Sequence, residues 1–174
     1  MSSLSILGGL YRGRKIRSNI NQNLRPTSSK VRKSLFDILG NLSGYSVLDL
    51  FAGTGLVGFE AASRGASSVV FVEKNKKLSD SISKNSILFC EASIIVERQN
   101  SYMYLNNCKS QFDIIFADPP YNSIDLNTLL ELSYNNLRPK GQIIIESSTR
   151  QNWSPKNGKI RTYGDTQLTF FNNE

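Results

Sequence analysis

From residue 45 onward, short apolar runs alternate with segments whose apolar positions recur every three or four residues. Residues 47–50, 69–72, 94–96, 112–117 and 142–146 are predicted strands, the last preceded by a turn at Pro139-Lys140-Gly141. Residues 56–64, 76–88, 101–106 and 126–134 are predicted helices, the first stopped by Gly65. Residues 159–163 and 167–171, joined across Gly164-Asp165, read as a closing hairpin. Strand–helix alternation of this kind needs right-handed crossovers between parallel strands. The expected class is therefore α/β: a mostly parallel, doubly wound sheet of seven strands with a C-terminal antiparallel hairpin.

The first 44 residues follow another pattern. Residues 4–7 and 14–17 flank Gly8-Gly9-Leu10-Tyr11-Arg12-Gly13, two short extended pieces around a glycine-rich turn. After Pro26-Thr27, the residues Val31, Leu35, Ile38, Leu39 and Leu42 fall at helical spacing, with Lys30 and Lys33 off that stripe. The chain thus divides into a small hairpin-and-helix extension, 1–44, packed on the same unit as a larger domain, 45–174.

Charge sharpens the division. The net charge is +7, yet residues 1–36 carry eight basic side chains and no acid. Positive charge segregated in this way is the footprint of a polyanion, and nucleic acid fits better than a solvated basic face. A membrane surface fits less well, because the segment has no long apolar face. The candidate RNA contacts are Tyr11, Arg12, Arg14, Lys15, Arg25, Arg32 and Lys33.

Composition narrows the chemistry. There is no histidine, which excludes Ser-His-Asp triads, Cys-His pairs and His-ligated zinc. Cys90 and Cys108 lack metal-ligand spacing and read as reduced thiols, with no metal expected. No apolar run approaches a membrane span, and residues 1–9 lack a secretory pattern, so a cytoplasmic monomer is expected.

In doubly wound sheets ligands bind beyond the carboxyl ends of the strands. Asp49, Glu73 and Asp118 all sit at such ends. Gly53-Thr54-Gly55-Leu56-Val57-Gly58 satisfies G-x-G-x-x-G, and Glu73 lies where an acid reaches ribose hydroxyls. That loop alone fits a nicotinamide cofactor as well as S-adenosylmethionine. Asp49 just before it favours a cationic ligand over a pyrophosphate. Asp118-Pro119-Pro120-Tyr121 then combines a carboxylate, two rigid prolines and an aromatic, a set suited to holding a flat, amine-bearing base. The combination points to methyl transfer onto a nucleobase amine.

Val47-Leu48-Asp49-Leu50-Phe51-Ala52-Gly53-Thr54-Gly55 with Asp118-Pro119-Pro120-Tyr121 resembles the Rossmann-like class I S-adenosylmethionine-dependent amino-methyltransferases. Gly8 to Ile16, Leu24-Arg25-Pro26-Thr27, the stretch Val31-Arg32-Lys33-Ser34-Leu35-Phe36 and Tyr163-Gly164-Asp165-Thr166 resemble the RsmD family, which methylates N2 of a guanine in small-subunit (16S) ribosomal RNA. The resemblance implies that Asp49, Phe51, Ala52, Gly53, Thr54 and Gly55 surround the methionine part of the cofactor. It gives the ribose to Glu73 and the adenine amine to Asn100, where many relatives carry Asp. The implied partner is 16S rRNA in the small subunit or an assembly intermediate. Asp118 and the Pro119 carbonyl would accept the amine's two N–H groups, with Pro120 stiffening the turn and Tyr121 stacking on the base. An adenine-N6 DNA methyltransferase could use the same four residues, and a non-catalytic RNA-binding assembly protein could keep the fold.

Overall fold

The computed structural model describes residues 4–18, 27–120 and 125–173. After an N-terminal turn come α1 (Ser29–Leu39), β1 (Ser46–Leu50), α2 (Leu56–Ser63), β2 (Ser68–Val72), α3 (Lys76–Ser86) and β3 (Ser93–Glu97). Next are α4 (Ser101–Asn107), β4 (Phe112–Ala117), α5 (Leu126–Tyr134), β5 (Leu137–Ser148), β6 (Lys159–Tyr163) and β7 (Thr166–Asn172). The seven strands form one sheet in the order β3-β2-β1-β4-β5-β7-β6. The first five in that order are parallel neighbours, while β7 runs antiparallel to both β5 and β6. This is the expected architecture. The order reverses between β1 and β4, so the crevice for a ligand opens at the carboxyl ends of those two strands.

Both faces of the sheet are covered, which is why β1, β2 and β4 read as near-continuous apolar runs. One core layer holds α1, α2, Ile82 of α3 and the inner residues of the N-terminal turn; the other holds α4 and α5. α2 is buried on every side. Its Gly58 permits that closeness, since a Cβ there would stand 2.3 Å from the Phe71 ring. No helix among the described residues is long and apolar enough to cross a membrane.

The N-terminal pairing forms, but as a single antiparallel bridge, Ser5 to Lys15, rather than two strands. Ile6 N–H donates to Arg14 O at 2.9 Å and Ile16 N–H to Leu4 O at 2.7 Å. The turn is pinned to α2: Leu10 N–H donates to Ser63 O at 2.7 Å, and Tyr11 N–H to Ser63 Oγ at 2.9 Å. Gly9 makes this possible, having φ of +75° and a Cβ position only 1.9 Å from Ser63 O.

Two expected RNA contacts are therefore corrected. Tyr11 is 9 % exposed, and its ring meets Phe89 edge-on at 4.9 Å. It is an anchor of the turn, because its apolar ring gains more from the core than from water. Arg32 is 1 % exposed. Its guanidinium donates to Ser5 O at 2.7 Å and stands 3.7 Å from Glu60, a wholly buried acid on α2. Arg64 and the Leu7 N–H also bind Glu60, at 2.9 and 2.7 Å. A buried carboxylate demands such partners, and α1 supplies one of them.

Two smaller differences concern boundaries. Ile38 was expected on the buried stripe of α1 but is exposed. The expected turn at 139–141 is a kink inside the long β5, where Lys140 takes φ of +62° and the register with β4 shifts.

Candidate active site

At the end of β1 the chain turns sharply. Phe51 has φ of +58°, Gly53 +56° and Gly55 +78°, so three of five consecutive residues are left-handed. Only Phe51 is strained by this, and such strain concentrates at ligand sites. Glu73 at the end of β2 fastens the loop, accepting Gly53 N–H at 2.8 Å and Asn75 N–H at 2.7 Å. Asp49 is 2 % exposed and accepts Gly58 N–H at 2.9 Å from the first turn of α2. Burial pushes its carboxyl up to about 8; the Gly58 hydrogen bond opposes this and the charge of Glu73 adds to it.

The loop, Asp118, Pro119 and Pro120 line one cavity of about 930 Å³. Asp118 follows the last residue of β4. Burial holds its carboxyl well above the usual range, then the charges of Glu146 and Asp49 raise it further, with the Thr27 hydroxyl opposing. Glu146 is a site residue that the sequence reading passed over. It ends the apolar stretch of β5, is 4 % exposed, and lines the same cavity. The pairing of Ala117 with Ile145 sets Asp118 and Glu146 side by side at adjacent strand ends. Thr27 donates its hydroxyl to Glu146 Oε2 at 3.1 Å. The signal was available: Glu146 is a fourth acid at the carboxyl end of a parallel strand, as Asp49, Glu73 and Asp118 are.

Asp49, Glu73, Asp118 and Glu146 thus face one cleft. Among the described residues, no lysine or arginine forms an ion pair with Asp49, Glu73 or Asp118. Those three acids, without an ion pair, fit a cationic ligand, and a sulfonium with its ammonium group meets that demand.

The other expected residues divide. Phe51, Ala52, Gly53, Thr54 and Asn100 line the cavity. Asn100 caps α4, its Oδ1 accepting Tyr102 N–H at 2.9 Å and Met103 N–H at 3.3 Å, which fixes its side chain at the wall. Gly55 does not line the cavity; it backs onto the Phe59 ring, 2.9 Å from where a Cβ would stand, and keeps the loop close to α2. Tyr121 and Arg25 lie outside the described residues. Arg12 and Lys15 are exposed on the N-terminal turn. Arg14 stacks over Tyr11 at 4.6 Å and donates to the Leu88 carbonyl. Lys33 is exposed and pairs with Asp37 at 2.6 Å.

A family model described as conserved hypothetical protein 95 matches residues 4–172. Ribosomal RNA small subunit methyltransferase D of Haemophilus influenzae is 35% identical over 164 residues, covering 86% of this chain and 84% of that protein. The chain belongs to the RsmD family. A second RsmD protein, the ribosomal RNA small subunit methyltransferase D of Escherichia coli, is 30% identical over 90% of this chain and 84% of its own. The solved structure of the Escherichia coli protein yhhF matches with a TM-score of 0.86 and 28% identity, over 99% of both chains. The RsmD match includes the basic extension as well as the sheet, so the pinned N-terminal turn is part of the family's unit. As an RsmD member the chain is a methyltransferase enzyme; none of these relatives favours a DNA enzyme or a non-catalytic assembly protein.

Proposed function

We propose that this enzyme transfers a methyl group from S-adenosylmethionine to the exocyclic N2 amine of a guanine in small-subunit (16S) ribosomal RNA. The single observation that carries the reading is the shared cleft. The glycine loop after β1 and the Asp118-Pro119 turn after β4 open onto one cavity of about 930 Å³ whose walls are acidic.

When bound, S-adenosylmethionine supplies an electrophilic methyl on a positively charged sulfur. Asp49 and residues 51–54 would hold its amino-acid part, Glu73 its ribose, and Asn100 its base. The chain's own task is the amine. A guanine amine is a poor nucleophile because its lone pair is delocalised into the ring. Asp118 and the Pro119 carbonyl accept its two N–H groups, which localises the lone pair and stabilises positive charge as it develops on nitrogen. Pro119 and Pro120 fix φ, so the acceptors are already in place. As the N–C bond forms, nitrogen must lose one proton. Asp118, whose proton affinity is raised by burial and by neighbouring acids, takes it. Tyr121 follows directly on this turn and is assigned to stacking on the base, which must leave its helix to enter.

RNA approaches over the basic face. Lys15 and Arg17 of the N-terminal turn stand across a groove from Lys77 and Lys84 of α3. Phosphates suit this groove, and folded RNA is read largely by shape and backbone. The natural acceptor is small-subunit RNA in the assembled or assembling particle, in the cytoplasm, with the enzyme acting as a monomer.

The test is transfer of a labelled methyl group, followed by nucleoside identification. Small subunits from cells lacking the gene, matched naked rRNA and duplex DNA are offered as acceptors. N2-methylguanosine in the RNA is the expected product; N6-methyladenine in the DNA overturns the assignment.

A further inference from the structure

The turn between β6 and β7 lines the cavity with four consecutive residues, Tyr163, Gly164, Asp165 and Thr166, and the methyl-transfer chemistry uses none of them. Gly164 is accounted for by the turn itself, since its φ of +61° is what a two-residue hairpin of this kind needs at its first position. Tyr163 is not accounted for in that way. It ends an edge strand on which Lys159, Arg161 and Thr162 are exposed, yet its own side chain is half-buried and packs against the core layer that includes α1. Its hydroxyl meets the Ser34 hydroxyl of α1 in a hydrogen bond. The ring is therefore held at the cavity wall by a bond at its far end.

Strand order decides which ligand this turn faces. Along the sheet the carboxyl ends run from Glu73 after β2, through Asp49 on β1 and Asp118 after β4, to Glu146 on β5. β6 ends and β7 begins at this same edge, since Thr166 pairs with both Tyr163 and Ser148. The glycine loop, Glu73 and Asn100 thus lie on one side of Asp118, and the β6–β7 turn lies on the other. The first side is the cofactor's. The second is left for the acceptor, and Thr27, Ser28 and Val31 at the entry to α1 line the cavity with it. A strand spacing of about 4.8 Å puts β6 about 14 Å from β4 along the sheet. A nucleoside held at Asp118 by its amine and a tyrosine side chain reaching inward together cover that span.

We infer that Tyr163 contacts the target guanosine at the end of the base remote from its amine, with Ser34 as the positioning residue that fixes the ring. An extruded base gives up its neighbours in the RNA stack and gains from a new aromatic contact in the cleft. Tyr121 is assigned to one contact of this kind, and Tyr163 supplies another from across the sheet. The tether also joins the acceptor wall to the basic extension, because Ser34 lies on α1, whose N-cap is Ser28. This rests on methyl transfer to a nucleobase amine as proposed above.

Two measurements on small subunits from cells lacking the gene test this. The first needs no variant. Wild-type enzyme with S-adenosylhomocysteine bound is irradiated with ultraviolet light, which joins a base to an aromatic ring in direct contact. Trypsin cuts after Arg161 and releases 162–174, in which Tyr163 is the single tyrosine. The guanosine that the enzyme methylates should be found attached to Tyr163, and its absence from that peptide would overturn the inference. The second is kinetic. Tyr163→Leu should lower kcat by roughly 10- to 100-fold, the range of one base–aromatic contact. KM for subunits and cofactor affinity by calorimetry should stay within a few-fold, because the phosphate contacts and the cofactor side are untouched. Tyr163→Phe and Ser34→Ala each remove only the tether and should cost roughly three-fold, the double variant no more than either alone. Wild-type kcat in Tyr163→Leu would overturn the inference, as would an equal loss in Tyr163→Phe, which keeps the ring. If the wild-type enzyme makes no N2-methylguanosine at all, the underlying reading falls and takes this one with it.

Discussion

The molecule buries acids in two places and treats them in opposite ways. On α2, Glu60 is wholly enclosed but answered by Arg32, Arg64 and the Leu7 N–H. At the strand ends, Asp49 and Glu146 are nearly as enclosed, Asp118 is half-buried, and the three acids crowd one another. The first cluster is fully answered, two guanidiniums to one carboxylate, and it locks α1 and the N-terminal turn onto α2. The second opens onto a cavity, and its crowded acids hold their protons more tightly than usual. Fold stability would be served by giving both the same treatment. That Asp49 and Asp118 are left without a cation, their carboxyls raised, marks the second as the place where a positive ligand belongs.

The sharpest way to break this comparison is to remove one acid from the open cluster. Asp118→Ala should lower kcat by about 1,000-fold, as expected for a group that stabilises developing charge. Cofactor affinity measured by calorimetry should stay within a few-fold, and the thermal midpoint should rise because one of the crowded acids is gone. A variant that retains most of its turnover would refute the proposed cradle.

The closed cluster should respond with the opposite sign. Arg32→Ala leaves Glu60 short of a partner and should destabilise the fold by about 3 kcal/mol, read from denaturant midpoints. The salt dependence of RNA binding should be unchanged. A lost salt slope with intact stability would return Arg32 to the RNA surface.

Acidity offers a subtler probe. The folded-state carboxyl of Asp49 is raised to about 8, so the folded chain holds a proton that the unfolded chain releases. The stability associated with this group is full below about pH 4 and is lost as pH rises through about 8. A cationic ligand reverses the trend locally by favouring the ionised form. S-adenosylmethionine affinity should therefore rise by up to about tenfold per pH unit below pH 8 and then level. Thermal midpoints with and without cofactor, from pH 6 to 9, would show the two curves diverging; parallel curves would separate Asp49 from the cofactor.

The smallest effects belong to the exposed groove, where charges act through screened solvent. Lys77→Ala or Lys84→Ala should each reduce the salt slope of RNA binding by about one unit. Lys33→Ala, which removes half of an exposed pair with Asp37, should change stability by less than about 0.5 kcal/mol.

How far the sequence reaches follows from the range of the interactions involved. The elements of the sheet were legible within a residue or two at most ends, because apolar periodicity and glycine punctuation are local signals. β4 and α5 match to the residue. The strand-end acids Asp49, Glu73 and Asp118 were legible for the same reason, each closing an apolar run. Where the reading failed, it failed through contacts distant in the chain. Arg32 and Tyr11 look like surface residues in a basic arm until Glu60 and Phe89 are brought against them from 28 and 78 residues away.

By itself, then, the sequence determined the order of strands and helices, the glycine loop, and the acid-proline turn. Each is written in neighbouring residues, whose backbone preferences and periodicity act locally. The tertiary structure alone decided which acids are neutralised and which are left to a ligand. It put β5 beside β4 and so Glu146 beside Asp118, and it set the N-terminal turn across from α3 to make a basic groove. Charge pairing and desolvation depend on what surrounds a group in space, and that is fixed only when the sheet order is.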